Sequence, residues 1–375
     1  MAEPVKNVFN VETIRLMAFH LRRVENSFPK QDFIDQAANG LDALGLKERS
    51  RQITAALKAA LPEDFQQACG LMLEALSPAS TSARPETAMS RSGIGGWAVM
   101  PMADFVALRG QDHFDRSMET LREFTMRFSS EFAIRPFLAQ DTEKALKHVS
   151  GWTRDENVHV RRLCSEGTRP RLPWGMRLQA FVKDPTPILP ILKALKNDPE
   201  EYVRRSVANN LNDIAKDHPE LVAGIAQDWL ADADKHARRL IRHACRSLIK
   251  QGHKDALEAL GYSRAKIDFQ ALEMLTPHVR LGGSVEFRIT MASESRQPQA
   301  LIIDYIVHHR RANGSTSGKV FKWKNIELPG GQAISLTKTH KVRPVTTRSY
   351  HAGRHDVEIQ INGQRFGRAS FELAL

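Results

Sequence analysis

The sequence predicts a mainly α chain in which a helical-repeat solenoid is followed by a small β-sandwich. Three observations carry that reading. At 375 residues the chain is longer than one compact domain usually is. A segment built around paired arginines returns three times in the helical part. After Leu275 the apolar period shortens from helical spacing to strict alternation.

Taken in chain order, residues 1–272 read as helix after helix, with strand-like alternation nearly absent. Ile53, Leu57 and Leu61 recur at spacing four, as one helix face requires. Residues 78–96 are rich in Ser, Pro and Gly and read as a loop between helical units. Its Gly-Ile-Gly-Gly follows no strand and precedes no Gly-Lys-Ser/Thr, so it is not a phosphate loop. DENVHVRRLCSEGTRP starts at Asp155, DPEEYVRRSVANNLNDIAKDHPE at Asp198 and DADKHARRLIRHACRSLIKQG at Asp232. Each has an acidic helix start, then Arg-Arg, then an apolar helix. The pairs fall at Arg161–Arg162, Arg204–Arg205 and Arg238–Arg239, spacings of 43 and 34. That is near the ~40-residue period of HEAT-like two-helix repeats. Such units stack into a curved solenoid with a concave face, and repeated arginine pairs predict a basic stripe along it, although solvated helix starts would look the same.

Residues 276–375 read as strands. Val285, Phe287, Ile289 and Met291 alternate on one face, and LIIDYIVHH, QAISLTK, HDVEIQING and RASFELAL continue the style. Asn313-Gly314, Gly330-Gly331 and Asn362-Gly363 mark turns. So many short strands in about 100 residues predict an immunoglobulin-like β-sandwich, lacking the cysteine pair of antibody domains.

The net charge of +11 favours a polyanionic partner. The charge is uneven. Residues 276–375 hold 15 Lys/Arg against 7 Asp/Glu, while the rest hold 39 against 36. A surface gripping a phosphate backbone is therefore expected on the β-domain, at Lys319, Lys322 and Arg348 beside Trp323 and Tyr350. No apolar run approaches the ~20 residues that span a bilayer, so no membrane partner is expected. The N-terminus lacks an apolar core and a cleavage site, and the three cysteines are odd in number and far apart. Both point to a reducing, cytoplasmic location. His236, His243 and Cys245 match no tetrahedral metal spacing and have arginine neighbours; phosphate contacts by His236, Arg239 and Arg242 are the better reading.

RFSSEFAIRPFL at 127–138, HVRRLCSEGTRPRLPWG at 159–175 and VRRSVANNLNDIAKDHPE at 203–220, together with the β-domain, carry a resemblance over essentially the whole chain. The sequence resembles the alkylpurine DNA glycosylases built on HEAT-like repeats, specifically the AlkC type; the shorter AlkD type lacks the β-domain. The resemblance implies hydrolysis of the N-glycosidic bond of N3-methyladenine and other cationic bases in double-stranded DNA, with no metal and no cofactor, and without drawing the base into a deep pocket. It implies Glu131, Glu166, Asp213 and Trp174 as active-site residues, with Arg162 beside them.

The residue types suit that chemistry. A methylated, cationic base is already a good leaving group, so a carboxylate that stabilises an oxocarbenium-like sugar and orients water suffices. An indole face attracts the cation. Blander readings stand beside each residue. Glu166 fits an acid in the first turns of a helix, among Arg161, Arg162, Arg169 and Arg171, which are themselves expected DNA contacts; read functionally, it is the first choice for the sugar cation, with Glu131 and Asp213 supporting. Glu131 reads as part of an apolar helix and could pair with Arg127 or Arg135. Asp213 could belong to a helix-end network or line the groove. Trp174, on a proline-stiffened loop, is either a packing plug or the tip of a lesion clamp. The other function classes are a catalytically inert nucleic-acid scaffold, a protein-interaction solenoid and a nuclease. The carboxylates argue against the first, the arginine pairs against the second, and the lack of an Asp/Glu/His metal cluster against the third. A monomer that encircles DNA is expected.

Overall fold

The computed structural model describes residues 4–80, 82–83, 89, 91–346 and 348–375. Parts of the N-terminal stretch (1–3), of the Ser/Pro/Gly-rich loop (81, 84–88, 90) and of the basic β-domain loops (347) lie outside the described residues. By contacts the chain forms two compact units, Met1–Asp217 and His218–Leu375. The change from helix to strand comes later, between the helix Lys254–Ala259 and the first strand at Ile267.

In the first unit, helix starts are fixed by short polar side chains that accept otherwise unpaired N–H groups. Asn10 takes Thr13 N–H at 2.9 Å, Asp64 takes Gln67 N–H at 2.7 Å, and Asp141 takes Lys144 N–H at 3.0 Å. The repeated segments form the helices Val158–Glu166, Glu201–Ile214 and, in the second unit, Lys235–Ala244. Each buries an apolar row: Val160, Leu163 and Cys164; Val203, Val207 and Leu211; Leu240, Ile241 and Ala244. A fully buried Val or Leu stabilises by roughly 1.5–3 kcal/mol.

The paired arginines divide their labour. The first of each pair turns back on the loop entering its own helix. Arg161 Nη1 donates to the carbonyls of Asp155 and Glu156, both at 3.0 Å. Arg204 Nη1 donates to those of Asp198 and Pro199 at 2.5 and 2.7 Å. Arg238 Nε donates to Ala233 O at 3.3 Å. Carbonyls in these loops have no helical partner, and a guanidinium fork can satisfy two at once. Arg161 also clasps Asp198 with Nε at 2.7 Å and Nη2 at 3.2 Å. The expected basic stripe is therefore half internal: Arg161 and Arg204 are closures of helix starts.

The second unit joins the helices Pro219–Leu230, Lys235–Ala244, Arg246–Gln251 and Lys254–Ala259 to the sandwich. Its strands are β1 (Ile267–Met274), β2 (His278–Arg280), β3 (Ser284–Ser293), β4 (Gln299–Arg310), β5 (Thr316–Leu328), β6 (Ala333–Lys341), β7 (Gly353–Ile361) and β8 (Gln364–Ala374). They form a three-stranded sheet, β1-β3-β6, and a five-stranded sheet, β2-β8-β7-β4-β5. All pairs are antiparallel except β2 with β8. The strands begin earlier than the alternation after Leu275 suggested, because β1 exposes half of its residues, buries only Ile267 and so lacks an apolar row. Val285, Phe287, Ile289 and Met291 are each fully buried, as their alternation predicts. Opposite them lie Ile303, Tyr305, Val307, Val357 and Ile359. Asn362 and Gly363 both have positive φ, +46° and +80°, as the tight β7–β8 turn requires. Gly363 abuts Gly252, the left-handed residue that ends the helix Arg246–Gln251. A Cβ on either glycine would lie 2.7 Å from the other's backbone. Asn362 Nδ2 donates to Ser263 O at 2.8 Å, tying the turn to the segment before β1.

Candidate active site

A pocket of about 440 Å³ opens in the first unit. Its walls are aromatic, from Trp97, Phe128, Phe132, Trp174 and Tyr202, and its acids are Glu131 and Glu166. Trp97 and Phe128 pack with ring centroids 4.9 Å apart. Tyr202 lies edge-on to His159 and beneath the guanidinium of Arg162, which stands 5.2 Å from its ring centroid.

The structure brings the three expected carboxylates into one network of buried or nearly buried charges. Glu131 accepts from Arg162 Nη1 at 2.5 Å and from the Ser129 hydroxyl at 2.7 Å, both through Oε2. Glu166 Oε1 accepts from Arg169 Nη1 at 2.7 Å and sits 3.5 Å from Arg162 Nη2, while its Oε2 accepts from the Ser206 hydroxyl at 2.6 Å. Asp213 accepts from Arg169 Nε and Lys216 Nζ, both at 2.8 Å. Burial would raise the Glu166 carboxyl, but the guanidiniums of Arg162 and Arg169 and the Ser206 hydroxyl outweigh it and hold it below the usual range. The charge of Arg162 is strengthened in turn: Glu131 and Glu166 overcome its desolvation. Arg135 lies behind, fully buried and lowered to about 10 by desolvation and by the neighbouring Arg169.

Two local readings are corrected. Glu166 is the last residue of its helix, not an early one. The dipole there disfavours a carboxylate, so the arginines must hold it. Glu131 lies in a turn between the helices Phe114–Thr125 and Arg135–Gln140, not inside an apolar helix. Its partner is Arg162. Arg127 pairs with Glu123 at 3.1 Å, and Arg135 binds backbone carbonyls. The one carboxylate oxygen in the network that accepts no hydrogen bond from the described residues is Glu131 Oε1. Trp174 is 67% exposed, which removes the packing-plug reading.

The expected DNA contacts scatter. Arg169 is consumed by Glu166 and Asp213, and Arg171 forms a two-pronged pair with Asp217 at 2.8 and 2.7 Å. Arg205 stands out to solvent and, among the described residues, reaches Glu201 alone, at 3.3 Å. Arg239 is exposed, and Arg242 donates to the Tyr262 hydroxyl at 3.0 Å. In the sandwich Lys322 is exposed, Lys319 lies 5.3 Å over the Phe321 ring, and Arg348 pairs with His309 beside Tyr350. Among the described residues one group comes close enough to hold a metal ion, the surface trio Glu220, His253 and Asp255 of the second unit. Lys47, Trp97, His159 and Tyr202 were missed as pocket residues. Tyr202 and His159 flank the arginine pairs and could have been found by helical spacing; Lys47 and Trp97 are distant in sequence and carry no local signal.

A family model described as "DNA alkylation repair enzyme" matches residues 112–250, and one described as "Uncharacterised protein YhaZ, C-terminal Ig-like domain" matches residues 268–375. "Uncharacterized protein YhaZ" of Bacillus subtilis (strain 168) is 36% identical over 98% of this chain and 99% of its own. The solved structure of the Pseudomonas fluorescens alkylpurine DNA glycosylase AlkC, bound to DNA containing an abasic site analog, superposes with a TM-score of 0.89 at 37% identity, covering all of both chains. The chain belongs to the AlkC family. In this AlkC-type chain the first unit holds the aromatic pocket and its acids. The strands that follow match the family's Ig-like module.

Proposed function

We propose that this chain is a DNA glycosylase that hydrolyses the N-glycosidic bond of cationic alkylated bases in duplex DNA, 3-methyladenine first and 3-methylcytosine second. The observation that carries the reading is a carboxylate oxygen with no donor among the described residues, Glu131 Oε1, in a pocket walled by Trp97, Phe128, Phe132, Trp174 and Tyr202. Aromatic faces attract a cationic base by roughly 0.5–2 kcal/mol, and a neutral base gains little from them. As the C1′–N bond breaks, its electron pair neutralises the base, so no proton donor is needed. The sugar becomes oxocarbenium-like, and a fixed negative charge beside it lowers the barrier. Water then adds its oxygen to C1′ and releases its proton to a carboxylate or to solvent.

The roles follow from which oxygens are engaged. Glu131 faces the sugar and the water with its open oxygen. Glu166, with both oxygens engaged, and Asp213, between Arg169 and Lys216, set the position and charge of Arg162 and Arg169. Trp174 covers the base. Arg205, Arg239, Lys319 and Lys322 grip phosphates; Arg348 joins them after releasing His309. The protein acts as a monomer in the cytoplasm, without metal or cofactor. Release of 3-methyladenine from methylated duplex by the wild type, abolished in Glu131→Gln while duplex binding persists, is the expected result. Tight binding with no base released by either protein would make the chain an inert nucleic-acid scaffold.

A further inference from the structure

Trp174 has a left-handed backbone, φ +63°, which a bulky side chain adopts only under constraint. Its indole also stands largely in water, so packing does not supply the constraint. The loop around it is pinned at its base. Arg135 Nε donates to Met176 O at 2.6 Å and Nη1 to Gly167 O at 2.8 Å. Arg171 clasps Asp217, and Gly175 N–H donates to Leu172 O at 3.1 Å. A Cβ at Gly175 would lie 3.3 Å from Arg135 Nε, so the loop closes tightly over that arginine.

The tip has a different holder. Lys47 Nζ donates to the carbonyl of Trp174 itself, across 127 residues of sequence. The same ammonium stands 5.7 Å from the Phe132 ring centroid, on the pocket wall. Lys47 occupies the first turn of the helix Leu46–Ala60, the end at which a cation opposes the dipole. Its position therefore does not serve the helix. It lies outside the segment 112–250 that matches the DNA alkylation model.

We propose that Lys47 is a positioning residue for the lesion-facing indole: by holding the Trp174 carbonyl it keeps that residue in its left-handed conformation and its ring aimed across the pocket before DNA arrives. The inference rests on the reading of Trp174 as the contact for the cationic base. Lys47 touches no reacting atom. It shortens the search of an exposed side chain whose backbone would otherwise relax, and so acts on the rate-limiting geometry rather than on grip of the duplex.

The test is a double-mutant cycle on the full chain, with Lys47→Met, Lys47→Arg and Trp174→Ala, read by single-turnover base release, affinity for undamaged duplex and acrylamide quenching of tryptophan fluorescence. Lys47→Met should slow base release about tenfold with duplex affinity within about twofold, as expected when one orienting contact is lost. Lys47→Arg, which keeps a donor, should restore most of the rate. In the Trp174→Ala background Lys47→Met should change the rate less than about twofold. Equal losses in both backgrounds, or a weakened grip on undamaged duplex with a smaller salt dependence, would make Lys47 a phosphate contact and overturn the proposal. Quenching separates this from failure of the glycosylase reading. If the Trp174 share of the quenching is the same in Lys47→Met as in wild type, the positioning claim fails whether or not any base is released.

Discussion

At the residue scale, three acids share one site and differ in what is left for substrate. Glu131 keeps one oxygen unengaged, whereas Glu166 has both engaged and is buried. Glu131→Gln should therefore lower base release by about 10²–10⁴-fold while duplex affinity stays near wild type, with a smaller fall in melting temperature because Glu131 also pairs with the half-buried Arg162. Glu166→Gln should behave differently. It leaves Arg162 and Arg169 partly uncompensated inside the protein, a change that typically costs about 3–5 kcal/mol, so the melting temperature should fall along with activity. The pH dependence gives a second handle. The folded Glu166 carboxyl titrates below its ordinary 4.5, so its contribution is full above that value and is lost as pH falls through the lower folded value. The stability gap between wild type and Glu166→Gln should be flat near neutrality and close only on the acid side. A gap that widened below pH 4.5 would contradict the assignment.

At the scale of elements, the repeated arginine pairs show what a sequence pattern conveys and what it hides. The pairs, their spacing and the apolar rows were legible because they are periodic. The direction of each guanidinium was not, because it depends on carbonyls of the preceding loop and, for Arg161, on Asp198 in the next repeat. Arg161→Met should strand the buried Asp198 and lower the melting temperature clearly. Arg205→Ala should leave it unchanged and reduce the salt dependence of DNA binding by about one unit of slope, as loss of one phosphate contact does. The turn holding Glu131 reads as helix in the sequence because Phe128, Phe132, Ile134 and Phe137 make the segment apolar, although Ser129 and Ser130 favour local turns. In the sandwich, burial and the nearby Arg348 push His309 down to about 3, and burial with Lys338 pushes His340 down to about 4. Both are neutral when folded, and they gain protons at their ordinary 6.5 once unfolded. The second unit should therefore lose stability steadily as pH falls from 6.5 toward 3, measurable as a falling melting temperature with a histidine-dependent slope.

On the scale of the whole molecule, composition gave the class of partner and little else. The excess of positive charge on residues 276–375 is visible in the sequence, and the exposed Lys319 and Lys322 place part of it on one strand, β5. Replacing both by Glu should weaken duplex binding strongly at low salt and leave the fold intact, which circular dichroism can check. The helix-then-strand order was equally legible, since alternation at Val285–Met291 is unambiguous. What sequence order could not show was convergence. Trp97, Phe128, Glu131, Arg162 and Tyr202 meet in one pocket, and local pattern reading has no term for such distances.

The contact between Gly252 and Gly363 bears on how such a chain can be recombined. Two backbones that close leave no room for a side chain on either partner, so neither position can drift alone. Relatives should change the two together, through an altered turn, or keep both. Anyone grafting the sandwich onto another helical scaffold would have to carry along the end of the helix Arg246–Gln251. The portable module therefore starts well before the first strand.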